Sequence, residues 1–228
     1  MSTRYRTWEG VVVRRHPLPS GDLVVSFLTP EGPVDTLAKS AQRPGGRSGR
    51  IGLFHRVTFQ TYERPGRELL TLTQVSFEEA LAASEPFRFA AQGFLAELGW
   101  KTLSPEVAPR GYPVWVSGMR GIARAEDPRV PLVWAGFRLL AHAGYRPSGS
   151  GRYLSPLGEL RAEPGEGAVF LGEVGEAALK AVLTRPGSEA IETLKEAPLD
   201  RLLEGLLRYA EAQLEGMRSA RTLRALAS

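Results

Sequence analysis

The hydrophobic pattern of the chain changes its period near residue 84, and this change limits the folds that are possible. Before it, short stretches rich in β-branched and aromatic residues are separated by turns. After it, apolar residues recur at the spacing of an α-helix. The pattern predicts an α+β chain with a β-domain over residues 1–79 and a mostly α-helical domain over residues 80–228.

Five strands are expected, at residues 5–15, 23–29, 34–40, 55–63 and 69–77. So many strands in so short a stretch leave little room for crossover helices, which favours a five-stranded OB-type β-barrel; an SH3-like barrel fits the strand count nearly as well. Alternation along the fourth strand places Phe59 in the core. Trp8 and Tyr62 are the better candidates for stacking on nucleic-acid bases.

The helical part begins with Ser84 as the expected N-cap of the first helix and Glu85 in its first turn. Further helices are expected at residues 114–124, 129–142, 176–183, 188–195 and 199–214. Residues 144–168 interrupt this pattern because they are rich in Gly, Pro and Ser. They predict a long loop or a small β excursion inserted into the helical domain.

Positive charge is concentrated in the predicted barrel. Residues 36–62 contain no Asp or Glu, and residues 1–76 carry a net charge of +5 against −1 for the rest of the chain. A cluster of cations on an OB-type barrel favours binding to a phosphate backbone, although a solvated basic surface is the competing interpretation. The candidate nucleic-acid-binding residues are Lys39, Arg43, Arg47 and Arg50 in the basic segment (residues 39–50), with Arg14, Arg15, Arg64 and Arg67 from other parts of the barrel.

The sequence offers little for catalysis or metal binding. It has no Cys, and no nucleotide-binding, nucleophile-elbow or zinc-protease motif. His16, His55 and His142 lie far apart, without acidic or histidine neighbours at ligand spacing. No enzymatic activity, catalytic residue, metal or cofactor is therefore expected. Since the chain also lacks a long apolar run and an apolar N-terminal region, we expect it in the cytoplasm, with no membrane partner.

Several ordered stretches resemble the bacterial RecO recombination mediator family. They are Gly-Val-Val-Val-Arg-Arg at 10–15, Gly-Asp-Leu-Val-Val-Ser-Phe-Leu-Thr-Pro-Glu-Gly at 21–32, Ala-Lys-Ser-Ala-Gln-Arg-Pro-Gly-Gly-Arg-Ser at 38–48, Leu-Thr-Gln-Val at 72–75 and Leu-Glu-Gly-Met-Arg-Ser at 214–219, before a last short helix. The resemblance implies an OB-fold followed by a helical domain. It also implies that Lys39, Arg43, Arg47, Arg14 and Arg15 contact DNA. Many relatives carry a four-cysteine zinc module where this chain has residues 144–168, so a metal-free replacement is implied.

The same resemblance implies a function and partners. Proteins of this family bind single- and double-stranded DNA, anneal complementary strands, and act with RecR to load recombinase onto strands coated by single-stranded-DNA-binding protein. Arg120, Arg124 and Arg138 are the nearest candidates for contacting the acidic tail of that coating protein. Two alternatives stay open on the residues alone: an RNA-binding OB-fold protein, and a non-enzymatic adaptor whose barrel docks on an acidic protein.

Overall fold

The computed structural model describes residues 4–42, 51–63, 66 and 69–227. The chain folds as two units, Met1–Ala82 with Ser104–Tyr112 and Ala83–Leu103 with Pro113–Ser228. The first unit contains β1 (Tyr5–Pro17), β2 (Leu23–Thr29), β3 (Gly32–Ala38), β4 (His55–Tyr62) and β5 (Leu70–Ala80).

These strands close into a barrel in the order β1-β2-β3-β5-β4, with β4 pairing back onto β1. The pairing of β3 with β5 is parallel, and the other four pairings are antiparallel. This arrangement confirms the predicted OB-type barrel and sets the SH3-like alternative aside.

The barrel core contains aliphatic and aromatic side chains from all five strands. Phe27 and Phe59 lie at its centre, with parallel-stacked rings whose centroids are 3.9 Å apart. Phe59 is 1% exposed, as the alternation of β4 predicted. Ala41 and Ile51 also belong to this core, so the residues on both sides of 43–50 are fixed to the barrel.

Several strand boundaries differ from the predicted ones. β1 continues to Pro17 and β5 to Ala80, whereas β3 begins at Gly32 and ends at Ala38. The expected four-residue turn before β3 is shorter because Thr29 already pairs with Gly32. β3 ends early because Ser40 adopts a φ of 52° and its N–H binds the side chain of Asp22.

The second unit is built from helices. The helices of the chain are α1 (Pro86–Thr102), α2 (Ala108–Arg124), α3 (Arg129–His142), α4 (Gly172–Thr184), α5 (Gly187–Lys195), α6 (Leu199–Gln213) and α7 (Ser219–Ala227). Within this unit α1 packs on α3 and α7, and α3 packs on α6. The leucines of α6 recur at helical spacing and form one stripe, which is buried: Leu199, Leu202, Leu203, Leu206 and Leu207.

Three helix starts were predicted wrongly, and one of them is that of α4, which begins at Gly172 and not at residue 176. Glu85, not Ser84, is the N-cap of α1, because its carboxylate accepts hydrogen bonds from the N–H groups of Phe87 and Arg88 at 3.0 and 3.2 Å. α2 begins at Ala108 and not at residue 114, so Pro113 lies inside the helix. Pro113 is the sixth residue of α2, where it has no N–H to donate to the carbonyl of Pro109.

Residues 144–168 include most of a small β-sheet, which agrees with the predicted β excursion and not with a long loop. Its strands are β6 (Ser148–Gly149), β7 (Tyr153–Leu154), β8 (Glu159–Arg161) and β9 (Val169–Phe170), in the order β6-β8-β7-β9. Leu154 and Leu160 anchor it with buried side chains. Within the described residues, no helix is long and apolar enough to cross a membrane.

Candidate nucleic-acid interface

Of the four cations in the predicted basic segment, the structure describes Lys39 alone, and its side chain is exposed. It stands directly after β3, where the turn at Ser40 is fixed by a hydrogen bond of 2.7 Å from the Ser40 N–H to the Asp22 carboxylate. Arg43, Arg47 and Arg50, like Arg64 and Arg67 of the predicted β4–β5 turn, lie outside the described residues. Their part in binding stays a prediction.

The residues that lead into the segment are tied to the β1–β2 turn. The Gln42 side-chain amide donates to the carbonyl oxygens of Asp22 and Leu18 at 2.6 and 3.4 Å, and its backbone N–H donates to Gly21 at 3.1 Å. Because buried Ala41 and these hydrogen bonds already fix this part of the chain, it loses little further conformational entropy when it binds a nucleic-acid strand. The start of the basic segment is therefore a preorganised part of the surface.

Arg14 and Arg15 do not lie on one face, although both are exposed. A β-bulge at Val13 shifts the register, so Arg14 pairs with Ser26 and Arg15 pairs with Val25. Neighbouring side chains of a strand point to opposite sides of the sheet. A DNA strand that runs over a single face of β1 and β2 can therefore contact at most one of the two arginines.

Some cations of the barrel are already paired with carboxylates. Arg56, inside the acid-free stretch of the sequence, binds Glu9 on β1, and the Nε–Oε1 distance is 2.9 Å. The hydrogen bond to Glu9 raises the pKa of Arg56 above its ordinary value. Arg6 pairs with Glu31. These guanidinium groups contribute less to phosphate binding than a count of sequence charges suggests.

Of the two aromatic candidates for base stacking, Trp8 packs and hydrogen-bonds within the barrel. Its indole N–H donates to Thr61 at 2.8 Å, its ring lies 6.2 Å from that of Phe59, and the Arg6 guanidinium covers it at 3.7 Å from the ring centroid. A ring with one side packed and one side covered has no open face for a base. We therefore no longer regard Trp8 as a stacking candidate.

Tyr62 differs from Trp8, since it pairs across β1 and β4 with Tyr5 on the outer face of the barrel. Their ring centroids are 4.8 Å apart, and the ring planes meet at 47°. Tyr5 is 53% exposed. Sequence reasoning counted Tyr5 among the aromatic residues of the barrel that could stack on bases, but ranked it below Trp8 and Tyr62.

The three arginines proposed for partner binding have different surroundings within the helical unit. Arg138 is partly buried and donates from Nε to the Val182 carbonyl at 2.6 Å and from Nη2 to the Arg185 carbonyl, at the end of α4. Burial lowers the pKa of Arg138, and the neighbouring Arg146 lowers it further. Arg124 is exposed and Arg120 is half-buried, both on α2.

A cavity of about 740 Å³ lies between α2, α3 and α5. Its walls are largely apolar, with Pro131, Trp134 and Ile191, while Glu126, Asp127 and Lys195 supply the charged groups of its lining. Among the described residues, the buried Trp134 indole N–H has no hydrogen-bond partner.

The residues do not fit a zinc site. The chain has no Cys. Across residues 4–42, 51–63, 66 and 69–227, no group of three or more His, Asp or Glu side chains is placed to hold a metal ion. The His55 ring is occupied by a hydrogen bond from the Gly52 N–H to Nδ1 at 3.1 Å and by an edge contact with Phe77.

A comparison with protein-family models gives a match over the residues of the barrel. Residues 1–80 match the model described as "Recombination protein O N terminal". The match covers the whole five-stranded barrel, including Lys39, Arg14 and Arg15. The chain therefore carries the N-terminal domain of the RecO family, whose proteins act in DNA recombination and repair.

Proposed function

We propose that the protein is a non-enzymatic recombination mediator in the cytoplasm that binds single- and double-stranded DNA and anneals complementary strands. With RecR it would help to load recombinase onto DNA coated by single-stranded-DNA-binding protein. The barrel over residues 1–79 would bind DNA, and the helical domain over residues 80–228 would receive a partner.

One observation supports the proposal above all. The acid-free basic segment begins with an exposed cation, and the residues on either side of 43–50 are fixed to an OB-type barrel. Lys39 follows β3, and Ala41 and Ile51 on either side of residues 43–50 are buried in the barrel core. OB-folds bind oligonucleotides on the face of their second and third strands, and Lys39 directly follows the third strand of this barrel. Arginine suits the task because its guanidinium binds phosphate oxygens in pairs and stacks on bases.

Annealing needs no active site. Two complementary strands repel each other through their phosphates, and a protein that neutralises phosphates on both lowers this repulsion. It also raises the local concentration of one strand around the other. Electrostatic contacts with phosphates do not distinguish one base from another. Annealing should therefore depend strongly on salt concentration and little on the base composition of the strands.

The test of DNA binding is fluorescence anisotropy of the full chain with matched single-stranded DNA, duplex DNA and RNA, each across a salt series. The proposal requires DNA affinity that falls steeply with salt, together with faster annealing of complementary strands. A strong preference for RNA would favour an RNA-binding OB-fold protein. Binding to an acidic protein with no measurable oligonucleotide affinity would favour the adaptor.

For the partner, we propose that the cavity between α2, α3 and α5 takes the acidic, hydrophobic tail of single-stranded-DNA-binding protein. Its apolar walls, which include Pro131, Trp134 and Ile191, suit a hydrophobic anchor. Lys195 in the lining and Arg120 and Arg124 on α2 would supply cations. Glu126 opposes this charge pattern, which makes the test informative.

A tail peptide titrated against the full chain should bind in the micromolar range, worth roughly 8 kcal/mol. Ile191→Glu places a negative charge in the apolar wall and should weaken the peptide at least tenfold, while DNA binding stays unchanged. Val174→Glu, at an exposed position on α4 outside the cavity lining, is the matched control. Equal affinity for both variants would move the peptide to another surface.

A further inference from the structure

The exposed tyrosine pair lies on the same barrel as the basic segment, and a strip of half-exposed side chains joins them. Tyr5 pairs with Tyr62 across β1 and β4, Tyr62 pairs with Thr71 across β4 and β5, and Thr71 pairs with Leu37 across β5 and β3. Tyr62, Thr71 and Leu37 are half-buried, whereas Thr61, Leu72 and Thr36 beside them are buried. The strip therefore follows the outer surface of the barrel.

The strip leads to Lys39. This residue is exposed, two positions beyond Leu37 and at the start of the basic segment. Three interstrand steps of about 4.8 Å and two residues of about 3.3 Å give a path of roughly 20 Å from Tyr5 to Lys39. At about 3.4 Å for each stacked nucleotide, that length corresponds to about six nucleotides, within the range of single-strand sites on OB-folds.

The surroundings of the pair suit a base rather than a phosphate. Arg4 donates from Nη1 to the Tyr62 hydroxyl oxygen at 3.3 Å, and the Glu63 N–H binds the Arg4 carbonyl, which brings both a cation and an acidic residue near the rings. Beside these groups, Tyr5 is 53% exposed.

We propose that Tyr5, supported by Tyr62, is a stacking platform for a base of single-stranded DNA whose backbone is held about six nucleotides away by Lys39. The inference rests on the proposed DNA binding. It keeps Tyr62 as a stacking residue and puts Tyr5 in the place of Trp8.

The experiment compares Tyr5→Leu and Tyr5→Phe with the wild-type chain by anisotropy competition, using oligothymidylates of four and fifteen nucleotides. Leucine keeps an apolar contact with Tyr62 but removes the aromatic ring, so the fifteen-nucleotide strand should bind about tenfold more weakly. The four-nucleotide strand is too short to span Tyr5 and Lys39, so its affinity should change less than twofold. Phenylalanine keeps the ring and should restore binding.

Phe77→Leu is the matched control, because Phe77 is also an exposed barrel aromatic, 49% exposed on β5, but lies outside the strip. Thermal unfolding of each variant reports whether the barrel is intact. The salt slope should be the same for Tyr5→Leu and the wild type, since stacking releases no counterions.

Three outcomes would overturn the inference: wild-type affinity of Tyr5→Leu for the long strand, equal losses on both strand lengths, or equal losses for Phe and Leu. In each case a salt-dependent wild-type affinity would leave the proposed function standing. A wild-type chain that binds no DNA at any salt concentration would instead refute the proposed function itself.

Discussion

The salt dependence of DNA binding offers the sharpest test of the basic segment. Replacing Lys39, Arg43, Arg47 and Arg50 by Ala removes the cations expected to contact phosphates. Arg56 and Arg6 are left out because they already pair with Glu9 and Glu31. In the part of the chain that the structure describes, no carboxylate pairs with Lys39.

The expected magnitude follows from counterion release. Each phosphate contact on a single strand contributes about 0.7 to the slope of log affinity against log salt, so four contacts contribute about 2.8. A rise from 50 to 200 mM salt should therefore cost the wild type about 50-fold more affinity than it costs the variant. At low salt the variant should bind more weakly whatever the base sequence.

The assay is anisotropy with single strands of two unrelated sequences at several salt concentrations. A control variant removes the same number of charges from the helical unit, by changing Lys180, Lys195, Arg161 and Arg208 to Ala. Each of these exposed residues pairs with a Glu, and exposed ion pairs contribute about 0–1 kcal/mol, so the control should fold. An unchanged slope in the first variant, or an equal drop in both, would refute the assignment of phosphate contacts to this segment.

Three further predictions concern stability and metal content. Glu97 on α1 accepts hydrogen bonds from the N–H groups of Arg218 and Ser219 at the start of α7. Partial burial raises its pKa, but these bonds lower it more, so that the pKa of Glu97 lies below its ordinary value. Glu97→Ala should therefore cost about 1 kcal/mol, or roughly 2–4 °C in Tm, at neutral pH, and the difference from wild type should shrink in thermal unfolding experiments as the pH falls through the lowered pKa of Glu97. Arg138→Ala should lower Tm by several degrees because two carbonyl groups at the end of α4 lose their donor, and a loss of tail-peptide affinity at unchanged Tm would instead assign Arg138 to the partner site. Elemental analysis should find no stoichiometric zinc, and a chelator should leave the unfolding curve unchanged; one zinc per chain would contradict this.

The sequence predicted those parts of the fold that depend on local periodicity. β4 and α6 agree within one residue because a regular alternation or leucine stripe reports directly which face is buried. The bulge at Val13 was not predictable, since three consecutive valines have no alternation to interrupt. The start of α2 was missed because Pro113 has the same local signal whether it ends a helix or lies within one.

The candidate site could be predicted only in part, for a related reason. Charge clustering identified Lys39 as an exposed cation, which its position after β3 agrees with. The pairing of Arg56 with Glu9, however, joins residues 47 positions apart and depends on the register of β1 and β4. The same register covers Trp8 and leaves Tyr5 exposed, which composition could not distinguish.

The separation between the basic segment and the tyrosine pair matters for annealing. A protein that held bases by their hydrogen-bonding edges would compete with the complementary strand, whereas stacking on Tyr5 contacts the face of a base and leaves its pairing edge accessible. Because stacking releases no counterions, its contribution should not depend on salt. At equal occupancy of the strand, annealing should therefore be faster in the wild type than in Tyr5→Leu at every salt concentration. Equal annealing rates at equal occupancy would mean that stacking contributes to affinity alone and not to the way the strand is presented.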